Sequence, residues 1–354
     1  MKRRRFLTRT AALVSGGTLA GCLSSFGFET ESAWRDPPLV DDRPDAVYYP
    51  AIVEGMGTYG MTEVNGYKFA LMYSFPHRFW TVTQGNRNKV VVESDDSLHL
   101  MASVWDVETE TVLPIDMSLE IRNDDGVVSE RAPWPMLSQS MGFHYGDNVA
   151  LPSEGEYTAT LRVSPMQTNR TGAFSGRFSE LQTAEIPFEF DTDEAYGLDI
   201  DRLEDRRGQR GAVEPVMDEM PVATAPAKAD LPGRILGEAT SGDAVFVVSV
   251  LEDAARFGGE SQSYLAVSPR TPYNRITLPL MSVSAALTRN GETVYEGPLG
   301  SALDPELGYH YGTAVDETGP GDTLTITVDA PPQVSRHDGY ETAFLDMPPM
   351  EIQL

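Results

Sequence analysis

Cysteine is almost absent. Cys22 is the sole one in 354 residues, so no intrachain disulfide can form. Lysine is nearly as scarce: Lys2, Lys68, Lys89 and Lys228 are the four, and every other basic residue is arginine. The 27 basic residues face 53 acidic ones, for a formal charge of -26. A polyanion repels DNA, which excludes a nucleic-acid binder of the usual kind. The acidic, lysine-poor balance reads as adaptation to high salt, where screening removes self-repulsion. Gly-rich phosphate loops, CxxC pairs, HExxH helices and GxSxG elbows are all missing, so the chain is not expected to be an enzyme. What is present forms cores. A content of 41% hydrophobic and 9% aromatic residues is too high for a disordered chain and suffices for one large or two ordinary domains.

The first 21 residues read as an address to be set apart from the fold. Arg3-Arg4-Arg5-Phe6-Leu7 fits the twin-arginine export pattern, and the apolar run from Ala11 to Gly21 is short for a membrane span. Leu19-Ala20-Gly21-Cys22 resembles a lipobox, in which Cys22 takes the lipid. The expected location is therefore the outer face of the cytoplasmic membrane, held there by lipid. Residues 22–47, rich in Ser, Pro, Asp and Glu, read as a tether.

From Tyr48 onward, short β-like runs alternate with Gly, Asn, Asp and Pro. Tyr67–Ser74, Lys89–Glu93, Leu98–Val104, Met117–Arg122 and Tyr157–Val163 are expected strands of a first domain, residues 48–190. Ala244–Leu251, Ser263–Val267, Leu280–Thr288, Thr293–Glu296 and Leu324–Val328 are expected strands of a second, residues 233–354. Asn123-Asp124-Asp125-Gly126 and Asn290-Gly291 are hairpin signals. Residues 191–232 read as a charged linker, with a short solvated helix over 198–210 and an extended stretch from Pro221. The second half repeats the first at a constant offset. Gly142-Phe143-His144-Tyr145-Gly146 falls on Gly308-Tyr309-His310-Tyr311-Gly312, and Arg170-Thr171 on Arg336-His337. The expected fold is all-β: two tandem immunoglobulin-like β-sandwiches after a twin-arginine lipoprotein signal.

The five histidines are His77, His99, His144, His310 and His337. His99 and Met101 are two apart on an expected strand, so both leave one face. Met136, Met141 and His144 come from a Gly-containing stretch that could fold as a loop over that face. Imidazole and thioether together suit a first-row transition ion such as iron or copper, and not calcium or magnesium. The same residues also read as ordinary core: methionine is common filler, and a histidine between two leucines can simply be hydrogen-bonded. His77, in Phe75-Pro76-His77-Arg78-Phe79-Trp80, reads as an extra ligand or as a residue packed among aromatics. Asn169-Arg170-Thr171 is an N-glycosylation sequon.

Pro135-Met136, Ser140, Gly142 and His144-Tyr145-Gly146-x-Asn148 resemble the P-M…S-x-G-x-H-Y-G-x-N signature of the periplasmic iron-transport protein family. Leu98-His99-Leu100 resembles that family's H-L-E strand. The likeness covers roughly residues 66–190 and, more weakly, the second repeat. It implies an immunoglobulin-like, often dimeric protein that binds copper and iron outside the membrane and serves an iron permease. Its implied ligands are two histidines, a methionine and a later histidine, with an acidic residue nearby. His99 and His144 take the two histidine positions and Met136 the methionine, one residue further from His144 than in the family pattern. Met101 replaces the glutamate and makes the site softer. The late histidine is Thr171 in the first half and His337, beside His310, in the second.

The expected site is thus His99, Met101, Met136 and His144 in the first half, with the second half a degenerate copy. His77, Met141, His310 and His337 are further candidates, and a composite site closed by His337 is the alternative arrangement. The expected ion is iron or copper. The expected partners are a membrane iron permease or metal transporter, the membrane itself through Cys22, and a second copy in a homodimer. The rival from another class is a cell-surface interaction module that binds protein or glycan without metal. A copper redox enzyme is a third reading, for which the sequence offers no second cofactor and no substrate motif.

Overall fold

Period-two patterning decides most of the strands. In Gln182–Phe190 alternate residues Ala184, Ile186, Phe188 and Phe190 are buried and those between are exposed. Tyr157, Ala159, Leu161 and Val163 turn inward in the same way from Gly155–Val163. Each such side chain taken from water contributes about 1.5–3 kcal/mol, which offsets the entropy of ordering the strand. The computed structural model describes residues 38–354 apart from 216, 218, 260 and 317. Cys22 and the signal motif lie outside the described residues.

In the first half a four-stranded sheet runs in the order Gln182–Phe190, Gly155–Val163, Met117–Asn123, Gly126–Arg131. Facing it is an eight-stranded sheet. Its order is Gly57–Val64, Tyr67–Ser74, Leu98–Asp106, Gly142–Val149, Trp134–Ser138, Ser335–Arg336, Phe79–Thr83, Asn86–Val90. Leu98, Leu100, Ala102 and Val104 share one core with Leu119, Ile121, Ala159 and Leu161 of the opposite sheet. Every residue of Leu98–Asp106 is buried, so both faces of this strand are covered. The second half repeats the sandwich. There Glu292–Asp304 is a single long strand that pairs with Ser282–Arg289 at one end and with Gly308–Val315 at the other. The Asn290-Gly291 hairpin closes as its composition demands, with φ of 52° and 85° at the two turn residues.

The halves exchange short strands. Ser335–Arg336, from the end of the chain, runs parallel to Met136–Leu137 of the first half. Asn169–Arg170 runs parallel to Ala302–Leu303 of the second. Both pairings have one register, each partner being displaced by the same interval (335 − 169 = 302 − 136 = 166). Leu39–Leu354 accordingly form one compact unit.

Three expectations about connections need correction. The helix expected over 198–210 is absent. A five-residue helix, Thr192–Tyr196, lies upstream instead, where the Asp191 side chain accepts the Glu194 N–H at 2.9 Å. The charge-dense stretch has no apolar stripe for a helix to bury, and Ile200–Arg202 pairs with Ile52–Glu54 as strands. The extended stretch after Pro221 is docked rather than free: Ala225 N–H donates to Arg275 O and Thr277 N–H to Ala223 O, each at 2.8 Å. The end of the expected tether is likewise packed. Ala46 and Val47 are fully buried, and Tyr48 donates its hydroxyl to Glu341 at 2.7 Å.

Candidate metal centre

Gly142–Val149 lies between two antiparallel neighbours. On one side Asn148 is opposite His99; on the other, His144 is opposite Met136. Met136 and His144 therefore sit on adjacent strands of one sheet, not on a loop folded over it. The short connection between them reverses the chain tightly enough to make a hairpin. Gly146 stands between the two pairs. A Cβ built on it would lie 2.8 Å from His99 Nε2 and 3.0 Å from Met136 Sδ. Both donor atoms thus converge on the space that the missing side chain leaves open.

Two more histidines join from elsewhere. His77 follows the strand Tyr67–Ser74, and its ring centroid is 4.1 Å from that of His99. His337 follows the crossing strand, anchored by its N–H donating to Leu137 O at 3.2 Å. Its ring lies 5.0 Å from His77, 5.7 Å from His99 and 5.4 Å from His144, centroid to centroid. Ligand nitrogens of His77, His99 and His337 all fall within 4.8 Å of one another. The cluster is not confined to the first half, because the crossing strand brings in His337. Arg78 fastens that segment through Asp338, with contacts of 2.8 and 3.3 Å.

All four histidines are buried. Burial pushes His77 and His144 down to about 4 and holds His99 and His337 well below the usual histidine range, so the rings are neutral near pH 7. Each ring has at least one nitrogen with an identifiable partner. His99 Nδ1 faces Asn148 Oδ1 at 2.9 Å, and His144 Nδ1 donates to Gly142 O at 3.1 Å. The Asn148 amide in turn donates to His77 O at 3.0 Å, which leaves its oxygen to accept from His99. The Nε2 atoms of His99, His144 and His337 have no hydrogen-bond partner. They are three of five such buried side-chain atoms among the described residues, gathered in one place. Leaving a buried polar atom unpaired costs about 1–3 kcal/mol, so three such nitrogens are available as ligand atoms. Three neutral imidazole lone pairs beside one thioether fit a first-row transition ion.

The remaining candidates are Met101, Met141 and His310. Met101 is on the His99 face and opposite Gly146, and it packs in the apolar core. Met141 also belongs to that core, and its N–H donates to Ser138. His310 occupies the equivalent place in the second half. There its Nε2 meets the Tyr264 hydroxyl at 3.1 Å, Leu265 replaces His99, and Ala302 replaces Met136. Thr171 replaces His337 at the crossing and donates to Asp304 at 2.7 Å. Asn169 of the sequon is exposed, while its Thr171 is buried. Asn148 and Gly146 carry the site's geometry without carrying metal-binding chemistry; their signal was only their place in the H-Y-G-x-N motif.

Residues 84–196 match the family described as Fe2+ transport protein. This part of the chain, about a third of its length, is similar to that family. Residues 229–353 match a separate family, a domain of unknown function designated DUF7350. None of the curated proteins compared with the chain matches it. Solved structures similar to it include a copper-bound variant of FetP from uropathogenic Escherichia coli, at 20% identity and a TM-score of 0.32, over 39% of this chain and 93% of that one. FetP as isolated is similar at 20% identity and 0.29, over 39% and 95%. The copper-reconstituted P19 protein of Campylobacter jejuni is similar at 20% and 0.30, over 38% and 96%. No described helix is long and apolar enough to cross a membrane.

Proposed function

We propose that this is an extracytoplasmic metal-binding protein that takes up one iron or copper ion per chain through His99, His144, His337 and Met136. The observation that carries the proposal is that His99, His144 and His337, each with a buried and unpartnered Nε2, lie with ring centroids 5.7 and 5.4 Å from His337 to the other two, while His99 Nε2 and Met136 Sδ both face Gly146. Thioether softness favours Cu(I), and the family description favours Fe(II). Binding rather than catalysis is the role, because the pocket offers ligands and no activated nucleophile. Export through the twin-arginine motif, a lipid on Cys22 and hand-over to a membrane iron permease complete the reading. An acidic surface suited to strong salt is consistent with life outside the cell. The two exchanging halves of one chain stand in for the two subunits that the family resemblance implies.

Titration of the mature protein with Cu(I), Cu(II) and Fe(II) tests this. One equivalent is expected to bind, and His99→Ala, His144→Ala and His337→Ala are each expected to weaken it by about 100-fold or more, as for loss of a ligand in a preformed site. Unchanged affinity in all three variants overturns the site.

A further inference from the structure

His77 lies within the same 4.8 Å cluster as His99 and His337, yet its hydrogen bonds give it a different task. Its Nδ1 faces Phe75 O at 3.1 Å and Glu54 Oε2 at 3.8 Å. A carbonyl oxygen can only accept, so Nδ1 carries the ring proton. In a neutral ring Nε2 is then bare. That bare nitrogen is 3.2 Å from His337 Nδ1. Two lone pairs would repel at this distance, so His337 Nδ1 must be the donor. His337 is thereby held as the Nδ1–H tautomer, with its lone pair on Nε2, one of the three unpartnered atoms.

We propose that His77 is a positioning residue, not a ligand: it takes the Nδ1–H of His337 and so presents His337 Nε2 to the ion. This rests on the metal-binding reading above and deepens it. Metal-bound histidines commonly donate their second N–H to a carbonyl, carboxylate or water, which fixes tautomer and ring orientation. Here the acceptor is another histidine, which passes the same pattern on to Phe75 O, with the Glu54 carboxylate behind it. Because His77 is in the first half and His337 in the second, the contact also aligns the crossing segment with the pocket it completes. Asn148 serves both sides, accepting from His99 Nδ1 and holding the His77 backbone through its carbonyl.

The test compares the full mature chain with His77→Gln and His77→Leu. Glutamine carries a carbonyl oxygen that can accept the His337 proton; leucine cannot. In metal-free protein, nitrogen-15 NMR is expected to show His337 as the Nδ1–H tautomer in wild type and His77→Gln. Loss of that tautomer is expected in His77→Leu. With Cu(II) as the probe, His77→Leu is expected to bind about 10–100-fold more weakly and His77→Gln to recover most of the loss. X-ray absorption is expected to count the same number of imidazoles in all three. One imidazole fewer in both variants would make His77 a ligand and overturn the proposal. Wild-type affinity in His77→Leu, or an Nε2–H tautomer of His337 in wild type, would overturn it as well. The NMR result needs no metal, so failure of the metal-binding reading and failure of the positioning role are separately visible.

Discussion

His310 accepts a hydrogen bond from Tyr264 at 3.1 Å, whereas His144, its counterpart one repeat earlier, has a bare Nε2 in the same place. Both rings are otherwise held alike, Nδ1 donating to the carbonyl two residues before, at Gly308 and Gly142. A Cβ on Gly312 would run into the Tyr264 hydroxyl, just as one on Gly146 would run into His99 Nε2. The second pocket is thus filled by its own tyrosine, and it serves as an internal control for the first.

That control gives a pH prediction. Burial pushes His310 down to about 4, against 6.5 for an ordinary histidine. Below pH 6.5 the unfolded chain takes up this proton and the native protein refuses it. Stability therefore falls as pH drops from 6.5 toward 4, by up to about 1.4 kcal/mol per pH unit for this group, and below 4 the contribution stops changing. His310→Gln keeps an acceptor for Tyr264 and cannot titrate. Urea unfolding at several pH values should show a shallower acid loss in the variant; parallel profiles would contradict the assignment.

Gly146→Ala should close the first pocket. Its backbone is not in the left-handed region, so alanine is conformationally allowed, but the new methyl meets His99 Nε2 and Met136 Sδ. Metal affinity is expected to fall by about 100-fold or more, while the metal-free protein loses about 1–3 kcal/mol to overpacking. Calorimetric titration and thermal unfolding on one sample distinguish this local block from general unfolding.

Met136→Leu conserves volume and should cost under about 1.5 kcal/mol of stability. It removes the soft ligand. Cu(I) affinity is expected to drop about tenfold or more in competition with a chelator, and Fe(II) affinity to change less.

Asp338→Ala should loosen the segment that delivers His337. Arg78 is 6% exposed and loses its paired carboxylate. A stability loss of about 1–3 kcal/mol is expected, together with weaker metal binding, although residue 338 is not a ligand. Fluorescence-monitored unfolding and metal titration measure the two effects.

Much of this architecture is written in local pattern. Tyr67–Ser74 and Ala244–Leu251 occur with the ends expected from their composition, because β-branched and aromatic runs between turn residues specify strands directly. His99, His144 and Met136 were legible from a motif whose spacing sets them on neighbouring strands. His337 entered the sequence reading as a further candidate and as the closing residue of the alternative arrangement. Its place depends on a two-residue parallel ladder between 335–336 and 136–137, which no periodicity encodes. The role of His77 was hidden for a related reason: whether it ligates or orients depends on which nitrogen faces which neighbour, and that is a property of packing. The helix expected at 198–210 failed because density of charge was taken for a solvated helix without an apolar stripe to hold it.

The reciprocal loan of two-residue strands makes the single polypeptide irreplaceable by either of its parts. Two copies of the front portion would each offer Thr171 at the crossing, and neither pocket would gain its final imidazole. Two copies of the rear portion would each offer His337 to a cavity lined by Leu265, Ala302 and a self-plugging Tyr264. If the proposed ligand set holds the ion, joining two unlike parts in one polypeptide is what completes it, and a single ion for the whole molecule is the expected count.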